Sequence, residues 1–235
     1  KINSKEELKR VIKYAYLYGK TVTLASDMIK DLTSQTVMQA NRRIGLSLTG
    51  ITQFIGVRGL ETYVDWIEDA YQWISDYDQI YSTWLEIPLS VRKTSIKPSG
   101  SVSLVVGVTP GIHFSVSGRY HLRRITVAAN SSLVDVALAA GFSVEPSSTD
   151  ASSVKIAIPV DAGEGVRSES EVTPEEQLQL AAVTAEKYAD NSISITVKFD
   201  QTALVEPAPG LTMQPPAGMG HVKVALFQST STLAL

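Results

Sequence analysis

The apolar positions in the first third of the chain recur at helical spacing. Ser4 and Glu7 form a capping box that opens a predicted helix. Its apolar positions are Leu8, Val11, Ile12 and Ala15. Gly19 is placed to end this helix, and the following residues, TVTLASDMI, favour a short extended segment. A longer amphipathic helix is predicted over 60–87, where apolar residues step by three and four before a proline.

In the second half of the chain, apolar residues alternate with polar ones. The segments RYHLRRITVAA, VKIAIPV and NSISITVKF each show this strand period. Two predicted helices lie between them, one ending at Gly141 and one with Thr173 as N-cap and Pro174 at its first position. The run SLVVGV, residues 103–108, is typical of a buried strand, and HVKVALF is a candidate for one more. Strands alternating with long helices indicate an α/β fold.

Composition narrows the classes of function. The 235 residues carry a formal net charge of −3 and are 44% hydrophobic, which fits a folded domain and argues against a nucleic-acid partner. The sequence has no Cys and three His, so we expect neither a disulfide nor a metal site from these residues. We expect no signal peptide, because residues 1–13 are charged and amphipathic, and no apolar run approaches the about 18 residues of a membrane helix. We expect a cytoplasmic protein without a membrane partner.

The stretch from Lys97 to Gly111 carries the most specific chemistry. It opens with a loop of mostly small residues: Pro98, Ser99, Gly100, Ser101, Val102 and Ser103. Backbone N–H groups and hydroxyls are accessible in such a loop, which suits the binding of a phosphate. An ordinary turn at a strand edge is the alternative, and no Walker A motif follows. His113, just beyond the second turn, is a candidate catalytic residue or a hydrogen-bonded bystander.

Three stretches carry motifs in a fixed order along the chain. They are NRRIGLSLTGI at 41–51, SIKPSGSVSLVVGVTPGIH followed by YHLRRI within 95–125, and EKYADNSISITVKFD at 186–200. Together they resemble the adenosylcobalamin-dependent (class II) ribonucleotide reductases. The match is best to the monomeric type that reduces ribonucleoside triphosphates, and it covers residues 1–200.

The resemblance implies a fold and a site. The family folds as a ten-stranded α/β barrel of two five-stranded halves packed antiparallel, and residues 1–200 would supply the second half. Residues 201–235 form a Pro/Gly-rich tail with a possible terminal strand. In the family, the loop that matches Pro98–Ser103 binds the substrate phosphates. Arg42, Arg43 and His113 are secondary candidates, and the two arginines fit ion pairs with buried carboxylates equally well.

The resemblance also implies the reaction, which is the reduction of ribonucleotides with adenosylcobalamin as cofactor. In the family a cysteine radical attacks the ribose, a cysteine pair reduces it, and a thioredoxin-type protein restores the pair. No residue of this chain is assigned a catalytic or metal-binding role. The radical Cys belongs to an Asn-Pro-Cys-Gly-Glu type segment N-terminal to NRRIGL. We expect that segment, and most of the cofactor site, on another polypeptide or a longer precursor.

Three interpretations stay open at this point. The first is the C-terminal part of a class II ribonucleotide reductase that contributes the phosphate loop. The second is a catalytically inactive barrel half that binds nucleotide or acts as a structural or assembly component, with its tail as a docking segment. The third is an unrelated α/β phosphate-binding enzyme. That last interpretation requires the Pro98 loop to run directly into a helix, where the sequence favours a strand.

Overall fold

The computed structural model describes residues 2–199 and 223–228. Its α-helices are α1 (Lys5–Val22), α2 (Leu32–Asn41), α3 (Ile51–Arg58), α4 (Leu60–Leu85), α5 (Gly100–Val106), α6 (Ser132–Ala139) and α7 (Pro174–Lys187). Two 3₁₀ helices span Thr23–Met28 and Glu169–Glu171. The strands are β1 (Tyr120–Ala128), β2 (Ser143–Pro146), β3 (Ser153–Asp161), β4 (Ser194–Phe199) and β5 (Lys223–Gln228). The predicted mixed α/β class is confirmed.

Helix α1 begins where the capping box predicts and ends later than predicted. Ser4 Oγ accepts the N–H of Glu7 at 3.2 Å. The helix passes through Gly19 to Val22 and then continues as a 3₁₀ helix, so the extended segment predicted there is wrong. The physical reason is tertiary packing, because the side chain of Lys20 is fully buried and this contact outweighs the weak helix propensity of one glycine.

Helices α1, α4 and α7 pack side by side over the core. Helix α4 contacts both of the others, and its length matches the helix predicted from the three- and four-residue spacing. The core they cover contains fully buried side chains that lie far apart in the sequence, among them Tyr16, Ile67, Ile74, Ile96, Tyr188 and Val197. Residues far apart in sequence therefore form one continuous core.

Four extended segments run parallel beside these helices. Leu46 bridges Thr94, Ile96 bridges Ile193, and both bridges are parallel. Strand β4 pairs with β5, also in parallel. The spatial order is therefore the segment 44–47, the segment 92–97, β4 and β5. The carboxyl ends of all four lie at one edge, and the Pro98 loop leaves the sheet at that edge.

A separate antiparallel sheet has the strand order β1-β3-β2. Strands β1 and β3 are the two that alternation predicts, and they pair from Tyr120 opposite Asp161 to Ala128 opposite Ser153. Strand β2 is short and was not predicted. Helix α6 begins with Ser131 as N-cap and precedes the left-handed Gly141, as the sequence indicates.

The run SLVVGV is not a strand. Its first four residues belong to helix α5, and Val105 is 86% exposed. The prediction was wrong because a short apolar run has the same composition in a buried strand and in a short helix. The Pro98 loop thus runs directly into a helix, which removes the sequence argument against an unrelated enzyme.

The C-terminal strand predicted from HVKVALF is present as β5. The rest of the predicted tail, within 201–235, lies outside the described residues. None of the helices in the described ranges combines the length and the apolarity that a membrane span requires.

Candidate phosphate-binding site

Hydroxyl groups hold the Pro98 loop against the neighbouring parallel segment. Ser99 Oγ lies 2.6 Å from Thr49 Oγ1, and both oxygens accept the N–H of Gly111 at 3.0 Å. Thr49 Oγ1 donates to the carbonyl of Thr109 at 3.1 Å. Because the Thr49 proton is used there, Ser99 is the donor between the two hydroxyls. The Ser99 hydroxyl therefore serves the loop itself.

The N–H groups that follow Ser99 remain available. Ser99 has left-handed backbone (φ 56°), and its side chain does not cap α5. The N–H of Ser103 donates to the Ser99 carbonyl at 2.8 Å, whereas residues 100–102 precede the first such bond and have no acceptor within the helix. These three residues are exposed. Ser103 is buried, and its hydroxyl donates to the Gly100 carbonyl at 3.2 Å. The free donors are three N–H groups and the Ser101 hydroxyl.

The second turn, Thr109–Gly111, packs against the start of the Pro98 loop. Gly50 N–H donates to the Thr109 carbonyl at 2.8 Å, and Ile51 N–H donates to the Gly111 carbonyl at 3.2 Å. The start of α3 is thereby docked on the turn. Gly111 has φ +55°, and a Cβ there would lie 2.3 Å from the carbonyl oxygen of Lys97. Only glycine allows this approach between the turn and the loop.

The substitution Gly111→Ala is expected to lower the free energy of unfolding by about 2–4 kcal/mol and to displace the loop, because left-handed backbone and a steric clash act together. Gly107→Ala is the matched control. Gly107 is also left-handed (φ +64°), but no atom lies within 4 Å of a Cβ added there. Its substitution should therefore lower the free energy of unfolding by only about 1 kcal/mol. Urea unfolding of both variants measures the difference. Equal losses would contradict the close approach at Gly111.

His113 lies behind the loop with both ring nitrogens bound to the backbone. Nε2 accepts the N–H of Thr196 at 3.1 Å, and Nδ1 lies 3.2 Å from the Pro110 carbonyl. Because Nε2 accepts, Nδ1 carries the proton and donates to Pro110. Burial lowers the pKa of His113. This geometry describes a neutral imidazole that joins the turn to β4 and has no nitrogen left for a substrate.

A pH dependence of stability follows from this arrangement. The folded state keeps His113 neutral below its ordinary pKa of 6.5, whereas the unfolded chain takes up the proton. Stability from this group is therefore complete above pH 6.5 and falls as the pH drops from 6.5 towards the lowered folded pKa. Between about pH 7.5 and about pH 5.5, the wild-type chain should lose more unfolding free energy than His113→Gln. Equal losses of unfolding free energy in the wild-type and His113→Gln chains, measured by urea titration, would contradict this.

Arg42 and Arg43 lie at the opposite edge of the parallel segments. Leu46 and Thr94 lie side by side, because a parallel bridge joins them. Arg43 lies three residues before this bridge on one segment, and Lys97 lies three residues after it on the other. Six residues of extended chain correspond to about 20 Å. The structure therefore does not bring the two arginines to the Pro98 loop.

Sequence reasoning missed the residues that fix the strand before the loop. The Asp190 carboxylate accepts the Lys93 N–H at 2.8 Å and the Tyr71 hydroxyl at 2.8 Å. Asn191 Nδ2 donates to the Thr94 carbonyl at 2.6 Å. The only signal in the sequence was their place at the start of the alternating segment NSISITVKF. In the structure they set the register of the segment that carries the loop.

The described residues contain no group of three His, Cys, Asp or Glu side chains placed to hold a metal ion. The loop donors are N–H and O–H groups, which bind anions. The free donors of the loop are therefore suited to a phosphate.

Comparison with known proteins tests the interpretation of the chain as an unrelated enzyme. No family model matches the chain. It is 44% identical over 197 residues to a probable adenosylcobalamin-dependent ribonucleoside-triphosphate reductase of Dictyostelium discoideum, covering 84% of this chain and 26% of the relative. It is 42% identical to an adenosylcobalamin-dependent ribonucleoside-triphosphate reductase of Euglena gracilis, covering 83% and 26%. The resemblance to class II ribonucleotide reductases is confirmed.

The fold of this reductase-like region agrees with the sequence match. It superposes on the crystal structure of a B12-dependent (class II) ribonucleotide reductase with a TM-score of 0.77 at 25% identity. The match covers 83% of this chain and 31% of that one, so the chain spans less than a third of the length of these relatives. Because the sequence match and the superposition both point to class II ribonucleotide reductases, the interpretation as an unrelated enzyme is excluded.

Proposed function

We propose that the chain contributes the substrate phosphate-binding loop of an adenosylcobalamin-dependent ribonucleotide reductase. One observation carries this proposal. The Pro98 loop leaves the carboxyl edge of parallel segments with three free N–H groups, within a region similar to reductases. Ligands of α/β sheets bind at the carboxyl ends of the strands. The proposed substrate is a ribonucleoside triphosphate, for which the relatives are named.

Each loop residue has a defined part in the proposed binding. Gly100 places no side chain between its N–H and the phosphate, and the N–H groups of Ser101 and Val102 follow on the same exposed turn. Bonds from such donors to an anion contribute about 1.5–3 kcal/mol each. Pro98 restricts the backbone before the turn, and the Ser99 and Ser103 hydroxyls hold its shape. Arg42, Arg43 and His113 are not assigned a part in the proposed binding.

The ribose chemistry is assigned to segments outside this sequence. The 235 residues contain no Cys, so the radical Cys and the reducing pair would come from another chain or a longer precursor, with a thioredoxin-type protein as reductant. Adenosylcobalamin supplies the radical when bound to such an enzyme. A hollow of about 460 Å³ at the edge of β1 and β3 is lined by Tyr120, His121, Leu122, Pro159, Val160 and Asp161, and none of these residues is assigned to the cofactor. We place the cofactor largely outside this chain and derive no step through it.

The architecture is part of the proposal. The four parallel segments support the assignment of residues 1–200 to the second half of a ten-stranded α/β barrel, with 201–235 as a tail. The proposal includes a cytoplasmic location for this function. In the assembled barrel, the edge that carries the Pro98 loop would face the ribose chemistry supplied by the rest of the enzyme.

The absence of Cys also favours a second function, that of an inactive nucleotide-binding or assembly component derived from a reductase barrel. Native mass spectrometry of gently purified material separates the two. A co-purifying chain that carries the cysteine segment, or a longer precursor, supports the reductase. A lone species of 25.4 kDa, or an oligomer of it, would contradict a split reductase and favour the second function.

A further inference from the structure

A small cavity lies at the amino-terminal edge of the parallel segments, opposite the Pro98 loop. Its volume is about 80 Å³, and it is lined by Thr23, Val37, Met38, Asn41, Arg42 and Arg43. About 20 Å of extended chain separates its arginines from the loop. The cavity is therefore distinct from the proposed substrate site, and the inference drawn from it does not depend on that site.

Arg42 presents an unused pair of donors to this cavity. The side chain is only 8% exposed, and Nη1 donates to the Thr23 carbonyl at 2.6 Å. Nε is buried and has no hydrogen-bond partner. The Nε–Nη2 edge of a guanidinium is a planar fork that matches two oxygens of an oxyanion. A buried charged donor without an acceptor destabilises the fold, and a bound oxyanion would remove that penalty.

The charge around the cavity favours an anion. Among the side chains that the structure describes, no carboxylate forms an ion pair with Arg42, and Arg43 is exposed beside it. Burial lowers the pKa of Lys20, its bond to Asp78 raises it, and the positive charge of Arg42 lowers it. Because Asp78 neutralises Lys20, the positive charge at the cavity is that of Arg42 and Arg43. The carbonyls at the end of α2 oppose an anion with about half an elementary charge. The two guanidinium charges outweigh that.

We propose that Arg42, Arg43 and Asn41 form a binding site for one phosphate-class oxyanion, either free phosphate or a phosphate group of a nucleotide. Arg42 supplies the bidentate edge from inside, Arg43 closes over the anion from the surface, and the Asn41 amide adds a polar group at the rim. The cavity volume is of the size of one such group, which excludes a whole nucleotide from its interior.

The test is a titration of the Ser101→Asp chain with inorganic phosphate at constant ionic strength, observed through the Arg Nε–H resonances in nitrogen-15 NMR. Ser101→Asp removes the proposed loop site, so phosphate there does not interfere. The Arg42 Nε–H resonance should shift saturably. Arg43→Gln, an exposed change that leaves the fold intact, should weaken binding about tenfold because one charge-assisted contact is lost. Arg42→Lys, followed through the Arg43 Nε–H resonance, keeps the charge, removes the fork and should weaken binding at least as much.

The matched control is Arg58→Gln, which removes one exposed positive charge at the end of α3 and should leave the affinity unchanged. An Arg42 resonance that never shifts would overturn the proposal. Equal weakening by Arg43→Gln and Arg58→Gln, or a response to glutarate without one to phosphate, would overturn it as well. Tighter binding of a ribonucleoside triphosphate than of phosphate would support a nucleotide as the source of the anion, and equal affinity would support free phosphate. Failure here leaves the loop proposal untouched, since the loop is disabled in every titrated chain.

Discussion

Replacing Asp78 with Ala is expected to lower the free energy of unfolding by about 3–5 kcal/mol, because it leaves a buried lysine without its counter-charge. The Asp78 carboxylate accepts from Lys20 Nζ at 2.6 Å, from the Tyr16 hydroxyl at 3.0 Å and from the Ser90 N–H at 2.9 Å. Lys20 is fully buried. Loss of the carboxylate would leave three buried donors with fewer acceptors, at the point where α1, α4 and the chain leading to the loop meet.

Urea unfolding at neutral pH measures this loss, with Asp69→Ala as the matched control. Asp69 lies on the same helix and pairs with Lys5 at 2.6 Å, and its side chain is 46% exposed. Exposed pairs contribute about 0–1 kcal/mol, so the control should change little. The double variant with Lys20→Met and Asp78→Leu should recover much of the loss, since neither charge is then left unpaired. Similar losses for Asp78→Ala and Asp69→Ala would contradict a buried network.

The substitution Ser101→Asp is expected to weaken binding of a ribonucleoside triphosphate by about 100-fold. A carboxylate about 5 Å from a phosphate charge costs about 3 kcal/mol at an effective dielectric constant near 20. The fold should be unaffected because Ser101 is exposed. Ser99 is unsuitable for the same test, since its hydroxyl bonds to Thr49 and Gly111 and a carboxylate there would disturb the loop itself.

Isothermal titration calorimetry of the full chain measures this effect. Ser132→Asp adds the same charge to an exposed position at the start of α6 and should bind as the wild type does. Unchanged affinity in the Ser101→Asp chain would remove the loop from the binding site. An equal loss in both variants would indicate a general effect of net charge.

The fold was predictable where the spacing of apolar residues matches the burial of one face of a helix or strand. The segment 193–199, which contains β4, alternates strictly in sequence, and Ile193, Ile195 and Val197 are all buried, as a period of two predicts. Helix α5 was not predictable from its apolar run, because the left-handed turn at Ser99 that starts it depends on bonds to distant residues. Gly19 failed as a stop signal for a similar reason, since the burial of Lys20 against α4 extends α1.

The candidate site was predictable only in part. The motif resemblance pointed to the Pro98 loop, but nothing local indicates that Ser99 pairs with Thr49, 50 residues earlier. Asp190 accepts a bond from Lys93, 97 residues away, and such contacts are set by the tertiary fold. The same limit applies to Arg42 and Arg43. Their motif suggests phosphate contacts, and only the parallel register shows that they lie at the other edge of the sheet.

The most direct test of the proposed function is the backbone amide spectrum of the full chain, recorded while a ribonucleoside triphosphate is added. The N–H groups of Gly100, Ser101 and Val102 are the free donors of the loop, so their resonances should shift saturably with the triphosphate and remain in place with the unphosphorylated nucleoside. If the triphosphate does not bind, or if it shifts other amides and leaves these three unchanged, the Pro98 loop is not the phosphate site.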